Sequence, residues 1–386
     1  MGAFKLLNMP AVKEYMAVIA FRCGAMHETE NTAGISHLLE HLMFKSRSVK
    51  RSMEVMEAFD AIGAQWNAHT AVDYTLFFVR CHVEDALVAV RTMLKVVDRL
   101  DICEAVFEKE KKTVLEELAL DDGAETVFDL AHTGTPYGNS VIGSRKTIER
   151  LTLADVTAYH ARMYADPVVV YAGAAGAANA LLDRFAGGGG RGAGGPRLDI
   201  NQGRVLGTKE FFKFKKQDAE DPASCKLAYL AYPAGDPRSG AVSFFAFVLQ
   251  KMVFMDARER HNLIYNISIK NKTGAHAGCL VISFKTKGGR IADVLKILFK
   301  HARAIGLGQV DLKRLQDKWQ KHLDLKASST FDACIRAIKE RLFGIDREAA
   351  GSVPLDLKSL MDPRRLAFII RAPRREHRGI LKALGM

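Results

Sequence analysis

Disulfide patterning is missing from this chain. Its six cysteines, Cys23, Cys81, Cys103, Cys225, Cys279 and Cys334, are scattered, and no two form a C-x-x-C pair. In a chain of 386 residues this excludes a disulfide framework, points to a cytoplasmic or other reducing compartment, and removes cysteine from the candidate metal ligands. No apolar run approaches bilayer-spanning length. The N-terminal stretch lacks the charged-then-apolar layout of a signal peptide, and Leu6 spoils the myristoylation pattern that Gly2 would open. The expectation is therefore no membrane association. A nucleic-acid motif is absent too, as is any interleaved basic and aromatic stripe. The net charge of +12 accordingly reads as solvated surface with no specific nucleic-acid partner; service to acidic partners is the alternative.

The length exceeds one ordinary domain, while 48% hydrophobic and 26% charged residues suit a globular protein with sizeable cores. Strands are expected at 4–8, 15–23, 65–70, 74–81 and 168–172, and helices at 32–45, 52–61, 83–99 and 104–120. Between Phe185 and Pro196 lies a glycine-dominated run that cannot hold a packed element and reads as a linker. Beyond it the pattern restarts: helix 240–258, strands 263–270 and 278–285, then helices 289–305 and 310–326. The offset is about 204 residues, which indicates a duplicated unit. The fold class is α+β: two tandem homologous domains, each a mostly antiparallel sheet covered by helices. The expected boundaries are 1–186, a linker at 187–203, and 204–386.

What the chain does carry is a dense motif at 34–45, Gly-Ile-Ser-His-Leu-Leu-Glu-His-Leu-Met-Phe-Lys. His37, Glu40 and His41 fall at i, i+3 and i+4, on one face of a helix. Two imidazoles at this spacing can share a tetrahedral ion, and a carboxylate beside them can handle a proton without being a ligand. The order H-x-x-E-H inverts the commoner zinc-protease motif. Chance matches number on the order of 0.02 in a chain of this composition. An open catalytic zinc needs a third protein ligand. The helix 104–120 offers Glu110 and Glu117, two turns apart on one face. From spacing alone, a solvated charge run accounts for them equally well.

The segment 34–45 resembles the signature of the inverzincin zinc metallopeptidases, the family of pitrilysin, insulin-degrading enzyme and the mitochondrial processing peptidase. In that family a glutamate ligand follows about 75 residues later, inside a segment like Glu-x-x-x-x-x-x-Glu. Here Glu110 and Glu117 occupy that segment. Gly24 and Glu28 resemble the G-x-x-x-E that precedes the zinc helix. Residues 63–70, Gly-Ala-Gln-Trp-Asn-Ala-His-Thr, are similar to the substrate-binding edge strand. Pro136-Tyr137-Gly138, Gly143, Leu151-Thr152 and Tyr164 follow the later pattern, and Arg258-Glu259 with Leu263-x-Tyr265 look like the R-E…L-x-Y of the second domain. The second half departs from the pattern in lacking a small, glycine- and serine-rich approach to Arg258-Glu259.

The resemblance implies a small two-domain member whose domains face one another across a substrate chamber. It implies Zn²⁺ held by His37, His41 and Glu117, with Glu110 in a supporting, ligand-orienting position and Glu40 as general base. Asn67 and Ala68 are placed against the peptide, and Arg258 and Tyr265 grip its carbonyl or the oxyanion. The activity implied is metalloendopeptidase cleavage of short or unfolded peptides, by a homodimer or a heterodimer with a related chain. The rival readings are a narrow precursor-processing protease within a larger assembly and a non-catalytic relative that keeps the fold. His69, His132 and His160 read as structural.

Overall fold

A computed structural model describes residues 4–5, 13–120, 126–187, 200–206, 209–216, 222–287, 289–327, 329–343 and 355–386. The first half contributes strands β1 (Phe4–Lys5), β2 (Glu14–Phe21), β3 (Gln65–Thr70), β4 (Thr75–His82) and β5 (Val168–Ala172). Its helices are α1 (Ile35–Met43), α2 (Val49–Asp60), α3 (Ala86–Asp98), α4 (Glu104–Leu120), α5 (Val127–Ala131), α6 (Arg145–Arg150), α7 (Leu153–Met163) and α8 (Gly176–Gly187). The sheet order is β1-β5-β2-β4-β3, with β1 parallel to β5 and every other pair antiparallel. β2 lies at the centre because both of its faces are apolar. Tyr15, Ala17, Ile19 and Phe21 enter the main core with α1 and α3, while Met16, Val18 and Ala20 are buried on the other side. Such continuous burial is what a near-unbroken apolar run demands.

The second half repeats this plan with β6 (Phe212–Lys215), β7 (Ala223–Ala231), β8 (Ile264–Thr273), β9 (Gly278–Thr286) and β10 (Leu366–Arg371), in the order β6-β10-β7-β9-β8. Its helices are α9 (Arg238–Val253), α10 (Ile291–Gly306), α11 (Leu312–Ala327), α12 (Thr330–Phe343), α13 (Leu357–Leu360) and α14 (His377–Ala383). Position for position, the strand order and directions match those of the first sheet. The expected duplication is therefore visible in topology, including a parallel outer strand in each copy.

Contacts divide the chain into two compact units. One groups residues 1–124, 139–195 and 325–345; the other groups 125–138, 196–324 and 346–386. The units are not contiguous, in contrast to a single cut between 186 and 204. The reason is an exchange of helices. α12 packs on β2 and β5 of the first unit, and α5 packs on β7 and β10 of the second. Each brings an apolar face: Ala333, Cys334, Ala337 and Ile338 from α12, and Val127, Phe128, Leu130 and Ala131 from α5. The expected linker falls largely on 188–199, outside the described residues.

One expectation on chain composition needs correction. α9 continues without a break into a π-helix at Phe254–Arg260, and the combined stretch Arg238–Arg260 is long and apolar enough to cross a membrane by length and composition. Its apolar residues Val242, Phe245, Ala246, Val248, Leu249 and Val253 are buried in the core of the second unit, which accounts for that composition. All six cysteines are free.

Candidate metal centre

The helix that carries the histidines is fixed at its start. Gly34, its N-cap, sits at φ 92°, a left-handed geometry that favours glycine. A Cβ there would lie 2.6 Å from Ile148 Cδ1 and 2.7 Å from the Ile142 carbonyl oxygen. Glu28 then replaces the missing helical acceptors. Its Oε2 accepts from Gly34 N–H at 2.7 Å and its Oε1 from Ser36 N–H at 2.9 Å, which satisfies two of the orphan donors at the helix start. Ser36 Oγ is in turn 2.8 Å from the Tyr159 hydroxyl. With Ile35, Leu38, Leu39, Leu42 and Met43 buried in the core, the opposite side of α1 projects His37, Glu40 and His41 towards α4 and β3, both of which α1 contacts.

The facing side of α4 is a stripe at i, i+3, i+7 and i+10: Phe107, Glu110, Val114 and Glu117. The first three are buried, although most of the helix is charged. The stripe brings Glu117 Oε2 to 3.5 Å from His41 Nε2 and 4.0 Å from His37 Nε2. Donor atoms of His37, His41 and Glu117 all lie within 4.8 Å of one another, the one such group of three or more among the described residues. Ligands around a tetrahedral zinc stand about 3.3 Å apart, so small torsional adjustments close this set on an ion. The donors also suit zinc, with two imidazoles, one carboxylate and room for a fourth ligand.

The electrostatics favour a neutral, metal-ready His37. Burial, with the neighbouring His41 and His69, lowers the pKa of His37 to about 4, so its ring keeps a free lone pair at neutral pH. His37 Nδ1 is buried with no hydrogen-bond partner, whereas His41 Nδ1 faces Glu110 Oε2 at 3.9 Å. Glu110 thus stands behind His41, where a carboxylate could orient the ring. Its other oxygen pairs with Lys45 Nζ at 3.1 Å. Glu40 is not part of the donor set; its Oε2 accepts a hydrogen bond from Thr70 Oγ1, at the buried end of β3. Sequence reasoning missed Thr70 and Lys45 as members of the site. Lys45 lay within the motif, and only tertiary contact reveals its partner.

The other anticipated residues are placed as follows. Asn67 and Ala68 lie on β3, the edge strand of the first sheet, and the Asn67 Oδ1 occupies the Ala68 N–H at 2.9 Å. In the second unit, Arg258 Nη1 donates to the Tyr265 carbonyl oxygen at 2.6 Å, and the Tyr265 side chain projects with the residue 68% exposed. His132 is fully buried between the Phe128 and Asn201 oxygens, and burial lowers its pKa to about 4.

Known proteins give this geometry its lineage. Residues 7–142 match the family model "Insulinase (Peptidase family M16)", and residues 150–320 match "Peptidase M16 inactive domain". An uncharacterized zinc protease of Mycobacterium leprae is 27% identical over 308 residues, spanning 75% of this chain and 68% of that protein. The cytochrome b-c1 complex subunit 1 of Rattus norvegicus is 30% identical over 159 residues, 40% of this chain and 33% of the subunit. The crystal structure of a protease from Helicobacter pylori superposes with a TM-score of 0.81 at 15% identity, covering 96% of each chain. Two tandem family matches that take in most of the sequence, and one shared fold, establish that the chain belongs to the M16 peptidase family.

Proposed function

We propose that the protein is a zinc metalloendopeptidase acting on short or unfolded peptides. The observation that carries this reading is the convergence of His37, His41 and Glu117, with Glu40 beside them and outside the donor set. Zinc, when bound by these three residues, supplies Lewis acidity toward a water and a peptide carbonyl. Glu40 accepts the proton of the attacking water and delivers it to the leaving amine. The Thr70 hydroxyl holds one Glu40 oxygen and leaves the other to take that proton. Glu110 balances its charge between Lys45 and His41, and so orients the His41 ring. A substrate added along β3 gains main-chain hydrogen bonds that are indifferent to sequence; its carbonyl takes over the Ala68 N–H from the Asn67 carboxamide. Arg258 and Tyr265 bind the substrate carbonyl or the developing oxyanion. The working form is a homodimer, or a heterodimer with a related chain.

The experiment that tests this is zinc content together with cleavage of a quenched peptide library, wild type against Glu40→Gln. Retained zinc and a fall in kcat of about 10²–10⁴ are expected. Activity that survives the substitution would show the base to be misassigned. A second reading, a non-catalytic subunit, is favoured by the similarity to the cytochrome b-c1 subunit; a wild-type protein that binds no zinc and turns over no peptide would establish it. A single cleaved precursor, with the library untouched, would indicate narrow processing instead.

A further inference from the structure

The second unit contains a buried carboxylate that the reaction described above does not use. Asp256 is 3% exposed and lies in the π-helical turn Phe254–Arg260 at the end of α9. Its Oδ2 is 2.8 Å from His301 Nε2 and 3.6 Å from Lys300 Nζ, both on α10. Its Oδ1 is 3.2 Å from His261 Nδ1, which also reaches the Asp256 carbonyl oxygen at 2.9 Å. Burial alone would raise the Asp256 pKa. The His301 hydrogen bond and the charges of His301, Lys300 and His261 outweigh it and hold the group below its ordinary value.

The segment from this anchor to Ile267 is irregular. A π-turn inserts one residue into a helix and is found frequently at functional sites. Asn262 then adopts φ 48°, a left-handed value uncommon outside glycine and most readily taken by asparagine among residues with a side chain. Two backbone bonds close the turn: Leu263 N–H to the Ala257 oxygen at 2.7 Å and Asn262 N–H to the Arg258 oxygen at 2.9 Å. The register of β8 against β9 shifts between Ile264 and Ile267, so Tyr265 sits in a bulge, another device that re-aims a side chain. Arg258, two residues after Asp256, clasps the Tyr265 backbone across this turn. Strained segments persist only where their surroundings over-determine them. The Asp256 contacts to α10 hold the start of this segment, and a bond from the buried Thr286 hydroxyl to the Leu263 carbonyl oxygen holds its far side.

We propose that Asp256 is a positioning residue: by fastening the π-turn to α10 through His301, it sets the angle at which Arg258 and Tyr265 are presented to a peptide substrate. This rests on the reading of Arg258 and Tyr265 as substrate-binding groups. The experiment uses the full-length, zinc-loaded protein. In hydrogen exchange read by mass spectrometry, Asp256→Asn is expected to speed exchange across 260–268 by roughly tenfold or more, with β7 and β9 unchanged. Unchanged exchange at 260–268, or acceleration throughout the unit, would overturn the proposal. In peptide cleavage, Asp256→Asn is expected to raise KM by roughly tenfold with little change in kcat. His301→Ala should reproduce that effect, and His301→Gln, which keeps a donor, should restore it. In the Arg258→Ala background, Asp256→Asn should cost less than in the wild type, because part of its effect acts through Arg258 and the rest through Tyr265; fully additive losses would overturn the coupling. A wild-type protein without peptidase activity would count against the proposed reaction, while the exchange result would still decide whether Asp256 holds the turn.

Discussion

Replacing Glu28 by alanine tests whether helix α1 is held from outside its own sequence. In the native structure its two carboxylate oxygens satisfy the N–H groups of Gly34 and Ser36 at 2.7 and 2.9 Å, and the residue is buried. Alanine leaves both donors unpaired in a buried site, at roughly 1–3 kcal/mol each, and relieves the desolvation of one carboxylate. The net loss is about 2–3 kcal/mol. For a unit of this size that lowers Tm by about 5–10 °C, measurable by circular dichroism or calorimetry. Glu28→Gln retains one acceptor and should lose about half as much. The pH dependence has a definite sign. Burial raises the Glu28 pKa above its usual 4.5, against the bonds from Ser36 and Gly34 that lower it. A carboxyl raised on folding binds more protons in the native state, so its contribution to stability falls as pH rises from the unfolded value through the folded one. Wild type minus Glu28→Gln should therefore show a stability difference that shrinks as pH climbs above 4.5. A Glu28→Ala loss below about 1 kcal/mol would refute the capping argument.

Zinc should stabilise the native protein by about 2.7 kcal/mol when free metal exceeds Kd a hundredfold, and a chelator should reverse this in thermal unfolding; Glu117→Ala should abolish both effects. Gly24→Ala would place a Cβ 2.3 Å from the Ala71 carbonyl oxygen and 2.7 Å from that of Val72. The backbone there must move, and a loss of about 3 kcal/mol is expected in denaturant unfolding. Thr70→Val removes the donor to Glu40 while keeping shape. Zinc content should be unchanged and kcat about tenfold lower, a change that a purely structural Thr70 would not produce.

Legibility in the sequence followed the range of the interaction. His37, Glu40 and His41 could be read because i, i+3 and i+4 are neighbours on any helix, and α4 matched its expected span of Glu104–Leu120. The face of α4 was harder, since Glu110 and Glu117 are two among many charges and only the family resemblance singled them out. The contacts of Thr70 with Glu40 and of Lys45 with Glu110 join residues far apart in sequence, so no local pattern announces them. The exchanged helices α5 and α12 were missed for the same reason. An amphipathic stretch shows that a face will be buried, not which sheet will cover it. Strands β6, β7 and β10 were likewise not singled out; β10 closes the second sheet from residues 366–371, far from the repeat that suggested the duplication.

The duplication also explains why chemistry collects in one copy. Shifted by 205 positions, the α4 stripe Phe107, Glu110, Val114 and Glu117 becomes Leu312, Leu315, Trp319 and His322 on α11, which with Leu323 are half-buried on an otherwise exposed helix. A leucine thus stands where Glu110 would balance Lys45 and His41, and Trp319 lies 5.0 Å from the Phe247 ring and 6.4 Å from that of Phe244 on α9. On the partner side, the two short helices α1 and α2 are replaced by the single long α9 with its π-turn. An aromatic contact gains from burying hydrocarbon, whereas the carboxylate of Glu110, buried at the matching place in the first unit, is compensated by Lys45 with His41 beside it. The second copy therefore contributes packing where the first holds charge. Among the described residues, its regular elements give way most visibly at the turn between Arg258 and Tyr265, where the π-helix, the positive φ of Asn262 and the register shift of β8 follow one another.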